Sequence, residues 1–324
     1  MAVPTDTAAV PTATIAYKTD PIPIEFDLYS PTEKHDKPGA LIIYYHAGAT
    51  YLGSRKLGFP TWLRDGCNER GWTICSVDYR LLPESSIADI MHDLKDMWTY
   101  VHNHLNDELR RRSLTPIDLN SIFVSGGSAG GYLTFQAGHL LTPRPAGLVA
   151  LYGDCFVGDW YATAHPADAI IGHKRLSDIE KHSAEIEQYF QGGRKPVTGR
   201  PFKDGTEVHS MFYHYLLRKG EFLKRTFGVG SMEEAASRPD LHYLFPQFSV
   251  KDSYPPIVLA HGKGDTAVPC EQTIFFSEFL NSKGLYNETY LLEGRDHFWD
   301  GLEEDDVLLV KAKIWSFLDK LATR

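Results

Sequence analysis

Cysteine is scarce: the chain has four in 324 residues, at positions 67, 75, 155 and 270, with no CxxC pair and no His-rich metal spacing. Scattered cysteines argue against a disulfide framework or a cysteine-built metal site, and free thiols in a reducing compartment follow. No metal and no cofactor are expected. Long apolar runs are missing as well. Nothing approaches the roughly 18 uninterrupted apolar residues of a membrane span. Met1 to Thr14 is rich in Ala, Pro and Thr, without the basic segment and apolar run of a secretory signal. The tail Leu321-Ala322-Thr323-Arg324 carries no lipidation or retention motif. Positive charge is in deficit, 33 basic against 42 acidic residues, for a net charge of -9. Phosphate backbones need clustered Lys and Arg. Only Arg110-Arg111-Arg112 forms a compact basic run, read here as the exposed end of a helix. A nucleic-acid partner is therefore excluded. A cytoplasmic protein acting on a small molecule is the expectation.

What is present is a rhythm of strand-like and helix-like segments, without repeats or low-complexity linkers. Ile22, Ile24, Phe26 and Leu28 alternate with Pro23, Glu25, Asp27 and Tyr29, which predicts a half-exposed antiparallel strand. A partner strand is expected near Thr14 to Lys18. Buried strands are expected at 40–46, 72–79, 121–128, 147–154, 256–262 and 289–293. Helix-like stretches alternate with them, chiefly Ile87 to Leu109 and Asp306 to Leu321. That pattern predicts an α/β fold with a mostly parallel central sheet flanked by helices. Residues 155–253 break the rhythm, with amphipathic pieces at 177–190, 208–227 and 231–237 and no convincing strand. We read them as a helical cap inserted between late strands, with 1–154 and 254–324 as the core.

The chemistry gathers at predicted strand ends. Ile122-Phe123-Val124 runs into Gly126-Gly127-Ser128-Ala129-Gly130, followed by a helix-like segment. A strand-to-helix turn this tight needs small neighbours and holds its central residue in a strained conformation that exposes the hydroxyl. The following helix places its amino-terminal dipole beneath developing negative charge. A serine hydroxyl needs a base, and the base an orienting acid. Asp265 follows the strand Ile257-Val258-Leu259-Ala260 in His261-Gly262-Lys263-Gly264-Asp265, and His297 is the histidine beyond the final strand. His261 is read as structural. The strand at 41–45 runs into His46-Ala47-Gly48-Ala49-Thr50-Tyr51, a small-residue loop whose N–H groups, with that of Ala129, suit an oxyanion hole. His46 is read as bracing that loop.

These motifs, with Asp78-Tyr79-Arg80-Leu81-Leu82-Pro83-Glu84, resemble the hormone-sensitive-lipase-like branch of the α/β-hydrolases from about residue 22 to the end, the insertion excepted. The resemblance implies the α/β-hydrolase fold, a triad of Ser128, Asp265 and His297, and oxyanion donors Gly48, Ala49 and Ala129. It also implies that the DYRLLPE segment supports the site, and it leaves room for a homodimer. Two departures stand out. The chain has HAGA where the family usually has HGGG, so bulky alcohols and tertiary esters should fit less well. Its amino-terminal extension is short, so 155–253 must cover the site alone. That shape resembles fungal hydrolases of natural-product pathways. Cys155, Phe156, Trp160 and Tyr161, with Tyr51 and Phe298, are the candidate pocket residues. The expected activity is acyl-enzyme hydrolysis of a medium-sized apolar or aromatic ester, lactone or thioester. Amide cleavage, an acyltransferase or cyclase, and a catalytically silent ligand-binding protein stay open.

Overall fold

The computed structural model describes residues 10–200 and 207–322, so the readings of the extreme amino terminus and of Thr323 and Arg324 lie outside the described residues. One eight-stranded sheet organises the chain. Its strands are β1 (Ala13–Lys18), β2 (Ile24–Tyr29), β3 (Gly39–Tyr45), β4 (Thr73–Val77), β5 (Ile117–Gly127), β6 (Gly147–Leu151), β7 (Ile257–Gly262) and β8 (Asn287–Leu292). They lie in the order β1-β2-β4-β3-β5-β6-β7-β8. Only β2 runs against its neighbours; the other pairings are parallel.

Successive strand residues face opposite sides, and β3 shows the result. Leu41, Ile43 and Tyr45 join a core on one face, while Ile42 and Tyr44 join a second core on the other. The first core takes the buried stripes of α2 (Ile87–Tyr100), α3 (Ala129–Leu140) and α4 (Glu271–Ser282). The second takes those of α1 (Thr61–Glu69) and α5 (Asp305–Ala322). Apolar cover on both faces is why the central strands read as continuous apolar runs. Ser86 starts α2 with a capping box, its hydroxyl accepting from the Asp89 N–H while the Asp89 carboxylate accepts from the Ser86 N–H. The stripe from Ile87 continues through a π turn at Val101–Leu105 into a last helical piece, Asn106–Arg111. There Arg110, Arg111 and Arg112 pair with Asp107 and Glu108.

Two strand expectations need correction. β2 is not half-exposed: Asp27 and Tyr29 are buried. Both faces of β2 are covered: Ile24, Phe26 and Leu28 join the first core, while Arg55 and Phe59 lie over Asp27 and Tyr29. Asp27 accepts from the Thr14 hydroxyl at 2.6 Å and from Arg55 Nε at 2.9 Å, and Tyr29 stacks on Phe59. β8 is an edge strand and only half-buried over most of its length.

Between β6 and β7 the chain forms short helices: Leu176–Glu180, Ser183–Phe190, Phe212–Lys219, Phe222–Phe227 and Met232–Ala236. A two-residue hairpin, Ile170–Ile171 with Lys174–Arg175, is the strand structure described there. The aromatic side chains of these pieces belong to the first core. Phe156 and Phe227 pack against Tyr132 of α3, with ring centroids 5.1 and 5.9 Å away. No helix among the described residues is long and apolar enough to cross a membrane.

Candidate active site

β5 stops at Gly127, and Ser128 takes φ 55° and ψ -119° before α3 begins at Ala129. A left-handed φ on a residue with a Cβ costs of order 1–3 kcal/mol. The turn is held by its packing: a Cβ on Gly130 would run into the carbonyl oxygen of Tyr45 at the end of β3, and one on Gly126 into that of Gly130. Glycine at both positions lets α3 start directly against the sheet. The helix start leaves the Ala129 N–H without an intrahelical acceptor.

The loop after β3 is equally constrained. Gly48, Ala49 and Thr50 have φ of 120°, 52° and 67°. The Gly48 carbonyl accepts from the N–H groups of Tyr51 and Leu52, at 3.0 and 2.9 Å, closing the turn. Among the described residues, no internal acceptor takes the N–H of Gly48 or of Ala49. His46 supports the loop from beneath. It is buried, its Nδ1–H donates to the Ala47 carbonyl at 2.7 Å, and its ring stacks on Tyr79 at 4.2 Å. Tyr79 in turn donates to the His46 carbonyl at 2.8 Å. Burial pulls the His46 pKa down to about 4, so the ring is neutral near pH 7.

Asp265, beyond the end of β7, is clamped from four directions. One carboxylate oxygen accepts the N–H groups of Ala267 and Val268, both at 2.8 Å. The other accepts from His297 Nδ1 at 2.7 Å and His261 Nε2 at 3.1 Å. Burial opposes ionisation, but the charge of His297 and the bonds from both imidazoles outweigh it, so the carboxyl sits well below the usual carboxylate range. His261 Nε2 also faces the Val268 carbonyl at 3.0 Å, which fixes it as a donor, while Nδ1 meets the Thr273 hydroxyl at 2.8 Å. His261 is therefore a second imidazole on the same carboxylate, a contact that the strand-end reading did not contain.

Ser128, Ala129, Gly48, Ala49 and His297 all line one cavity of about 210 Å³, with Asp265 behind His297. Of the candidate pocket residues, Tyr51, Phe156 and Phe298 line it. Cys155, Trp160 and Tyr161 do not, and their expected placement is corrected. Cys155 is buried with its thiol on the Gln272 carbonyl, and Trp160 packs edge-on against His165. Tyr161 is buried with its hydroxyl on Asp154. Six of the eight described non-glycine residues with positive φ lie on the cavity wall: Ala49, Thr50, Ser128, Phe156, His173 and Phe298. Backbone strain concentrated in one cleft is a mark of functional sites.

The sequence reading missed several residues around this cavity. Asp154, three residues beyond β6, is buried on its wall. Arg55 binds Asp27 and Asp78 beneath the loop after β3. Arg200 reaches from residues 155–253 to the carbonyls of Tyr51 and Leu82, at 2.8 and 2.7 Å, and to Glu84. Lys174, His209 and His214 add polar groups to the cavity. Asp154 stands just beyond a strand; the others have no strand-end motif, which was the signal used. Among the described residues no cluster of His, Cys, Asp and Glu could hold a metal ion.

Comparison with known proteins points to the same fold. A family model described as alpha/beta hydrolase fold matches residues 42–198. The chain is 25% identical over 253 residues to a probable carboxylesterase M8 of Phoma sp., covering 76% of this chain and 75% of that one. It is 34% identical over 326 residues to the non-reducing polyketide synthase ausA of Emericella nidulans, covering 91% of this chain and 13% of that one. It is 26% identical to the non-reducing polyketide synthase mapC' of Penicillium brevicompactum, where the match covers 87% of this chain and 14% of that one. The chain thus spans about a seventh of the length of these synthases. Among solved structures, an esterase of Pyrobaculum calidifontis superposes with a TM-score of 0.63 at 19% identity, covering 96% of this chain and 85% of that one. A Staphylococcus aureus protein of unknown function does so with 0.65 at 18% identity, covering 96% and 98%. The chain has the α/β-hydrolase fold, and residues 42–198 match the family model described by that fold.

Proposed function

We propose that the protein is a serine hydrolase that cleaves a carboxylic ester, lactone or thioester of a medium-sized apolar or aromatic compound through an acyl-enzyme. The observation that carries this reading is the shared cavity: Ser128, His297, Gly48, Ala49 and Ala129 line one space, with Asp265 bonded to His297 at 2.7 Å. In the first step His297 takes the Ser128 proton as the oxygen attacks the carbonyl carbon. The three N–H groups hold the oxyanion. His297 then protonates the departing alcohol or thiol, leaving the acyl group on Ser128. Water, deprotonated by the same imidazole, attacks that ester and releases the acid, and Ser128 regains its proton. Asp265, kept ionised, fixes the Nδ1–H tautomer and stabilises the imidazolium. Residues 155–253 act as the cap over this chemistry.

The carboxylesterase relative favours hydrolysis, and the synthase relatives favour a substrate from secondary metabolism. A cytoplasmic location and a homodimer through the open edge of β8, where Tyr286 is exposed, belong to the same reading. The test is hydrolysis of short p-nitrophenyl esters by wild type and Ser128→Ala. Wild type should turn them over and label on Ser128 with a serine-directed organophosphonate, and the variant should do neither. Full activity in the variant would sink the assignment of the nucleophile.

A further inference from the structure

One end of the cavity is an aromatic box. Tyr132, Phe156, Phe222 and Phe227 line it, with Phe156 ring centroids 5.1, 5.8 and 4.7 Å from those of the other three. Apolar rings alone would suit any flat apolar group. Two polar points in the same wall make the box selective. The first is the Asp154 carboxyl, buried yet on the cavity surface. It accepts from the Phe156 N–H at 2.8 Å and from the Tyr161 hydroxyl. A carboxylate has about four acceptor positions and no donor, so these two partners leave acceptor capacity for a third. The second is the pair Tyr51 Oη and Thr226 Oγ1, 3.0 Å apart, both residues lining the cavity. Whichever donates, the other keeps its proton for another partner.

The bonds from the Phe156 N–H and the Tyr161 hydroxyl make a buried carboxyl tolerable beside these rings, while its remaining acceptor positions lie on the cavity wall. Burial raises the Asp154 pKa to about 7 against the opposing bonds from Tyr161 and Phe156. We propose that this end of the cavity binds a hydroxylated aromatic ring, with Asp154 accepting a hydrogen bond from a ring hydroxyl and the Tyr51–Thr226 pair meeting a second polar substituent. The inference rests on the hydrolase reading of the same cavity and names the substrate class. Asp154 is then a specificity-determining residue, near enough to the Asp265–His297 pair for both to act on its charge.

The experiment uses the full chain and three matched sets of methyl esters: benzoate, the 2,4- and 3,5-dihydroxybenzoates, and the corresponding difluorobenzoates. Fluorine preserves the ring shape but cannot donate. Binding is measured calorimetrically on Ser128→Ala, and kcat/KM on wild type. At least one dihydroxy isomer should bind about 10- to 100-fold more tightly than its difluoro analogue, the range of a hydrogen bond to a charged partner. Adding Asp154→Asn should bring that ratio close to one. Thr226→Val, a milder change, should lower it in part and serves if Asp154→Asn does not fold. Equal binding of all three sets, or a ratio that Asp154→Asn leaves unchanged, overturns the inference. Selective binding without turnover of any ester would instead overturn the hydrolase reading and leave this one standing. Equal turnover of all the esters would do the reverse.

Discussion

At the scale of single residues, the loop after β3 separates two substitutions that look alike on paper. Gly48 has φ 120°, and a Cβ there would meet the Leu52 carbonyl. Gly48→Ala should therefore displace the N–H groups of the loop and lower kcat by about 10²- to 10³-fold, the usual effect of losing one oxyanion donor. Ala49 already holds φ 52° with its methyl in place. Ala49→Gly should leave kcat for unbranched esters within a factor of a few and improve it for tertiary alcohol esters, if the methyl restricts the site. Steady-state kinetics on the two ester types checks both. His46 offers a test by pH. Burial lowers its pKa from 6.5 to about 4. Between those values the unfolded chain binds a proton that the folded chain refuses, so its contribution to stability is complete above pH 6.5 and is lost as the pH falls towards 4. In thermal melts, the Tm difference between wild type and His46→Asn should shrink over that interval. A constant difference would mean that His46 is not buried as a neutral ring.

The strand ends were the legible part of the sequence, because an apolar run followed by Gly, Ser, Asp or His is a local pattern. Ser128, His297, the Ala129 N–H and the loop after β3 came from such patterns, the resemblance singled out Gly48 and Ala49 within that loop, and all of them line one cavity. Arg200 did not come that way, because its partners Tyr51, Leu82 and Glu84 lie far along the chain. Asp154 and His261 do stand at strand ends, but spacing alone does not say that one faces the cavity and the other shares Asp265. Cys155, Trp160 and Tyr161 show the converse error. Nearness to a strand end suggested the pocket, whereas each side chain turns to a partner elsewhere: Gln272, His165 and Asp154.

Among the elements, the segment around Arg200 has the clearest mechanical role. Arg200 and Gly53 exchange backbone hydrogen bonds at 2.9 and 3.2 Å, and Leu81 N–H reaches the Val197 carbonyl at 2.9 Å. The guanidinium and Glu84 are both buried, with side chains 8% and 5% exposed. Removing one member leaves a buried charge unpaired, which typically costs about 3–5 kcal/mol. Arg200→Leu should lower the unfolding free energy by about that amount in urea titrations. Adding Glu84→Gln should restore part of it. If the single variant is as stable as wild type, the pair is not buried in solution. Strand alternation misread β2 for a related reason: Asp27 looks outward by its polarity, yet Arg55 and Thr14 make an interior position acceptable to it.

Across the whole molecule, the mostly parallel sheet with flanking helices was foreshadowed by the alternation of apolar runs and helix-like stripes. What the pattern concealed is how the pieces between β6 and β7 attach. Phe212, Phe222 and Phe227 belong to the same continuous core as Tyr132 and Leu133 of α3 and the inner face of β3. For a protein engineer this sets the unit of change. A covering module with its own core could be exchanged whole, carrying its specificity with it. Here such a graft would tear open the interior of the recipient, so new selectivity has to be written one wall residue at a time.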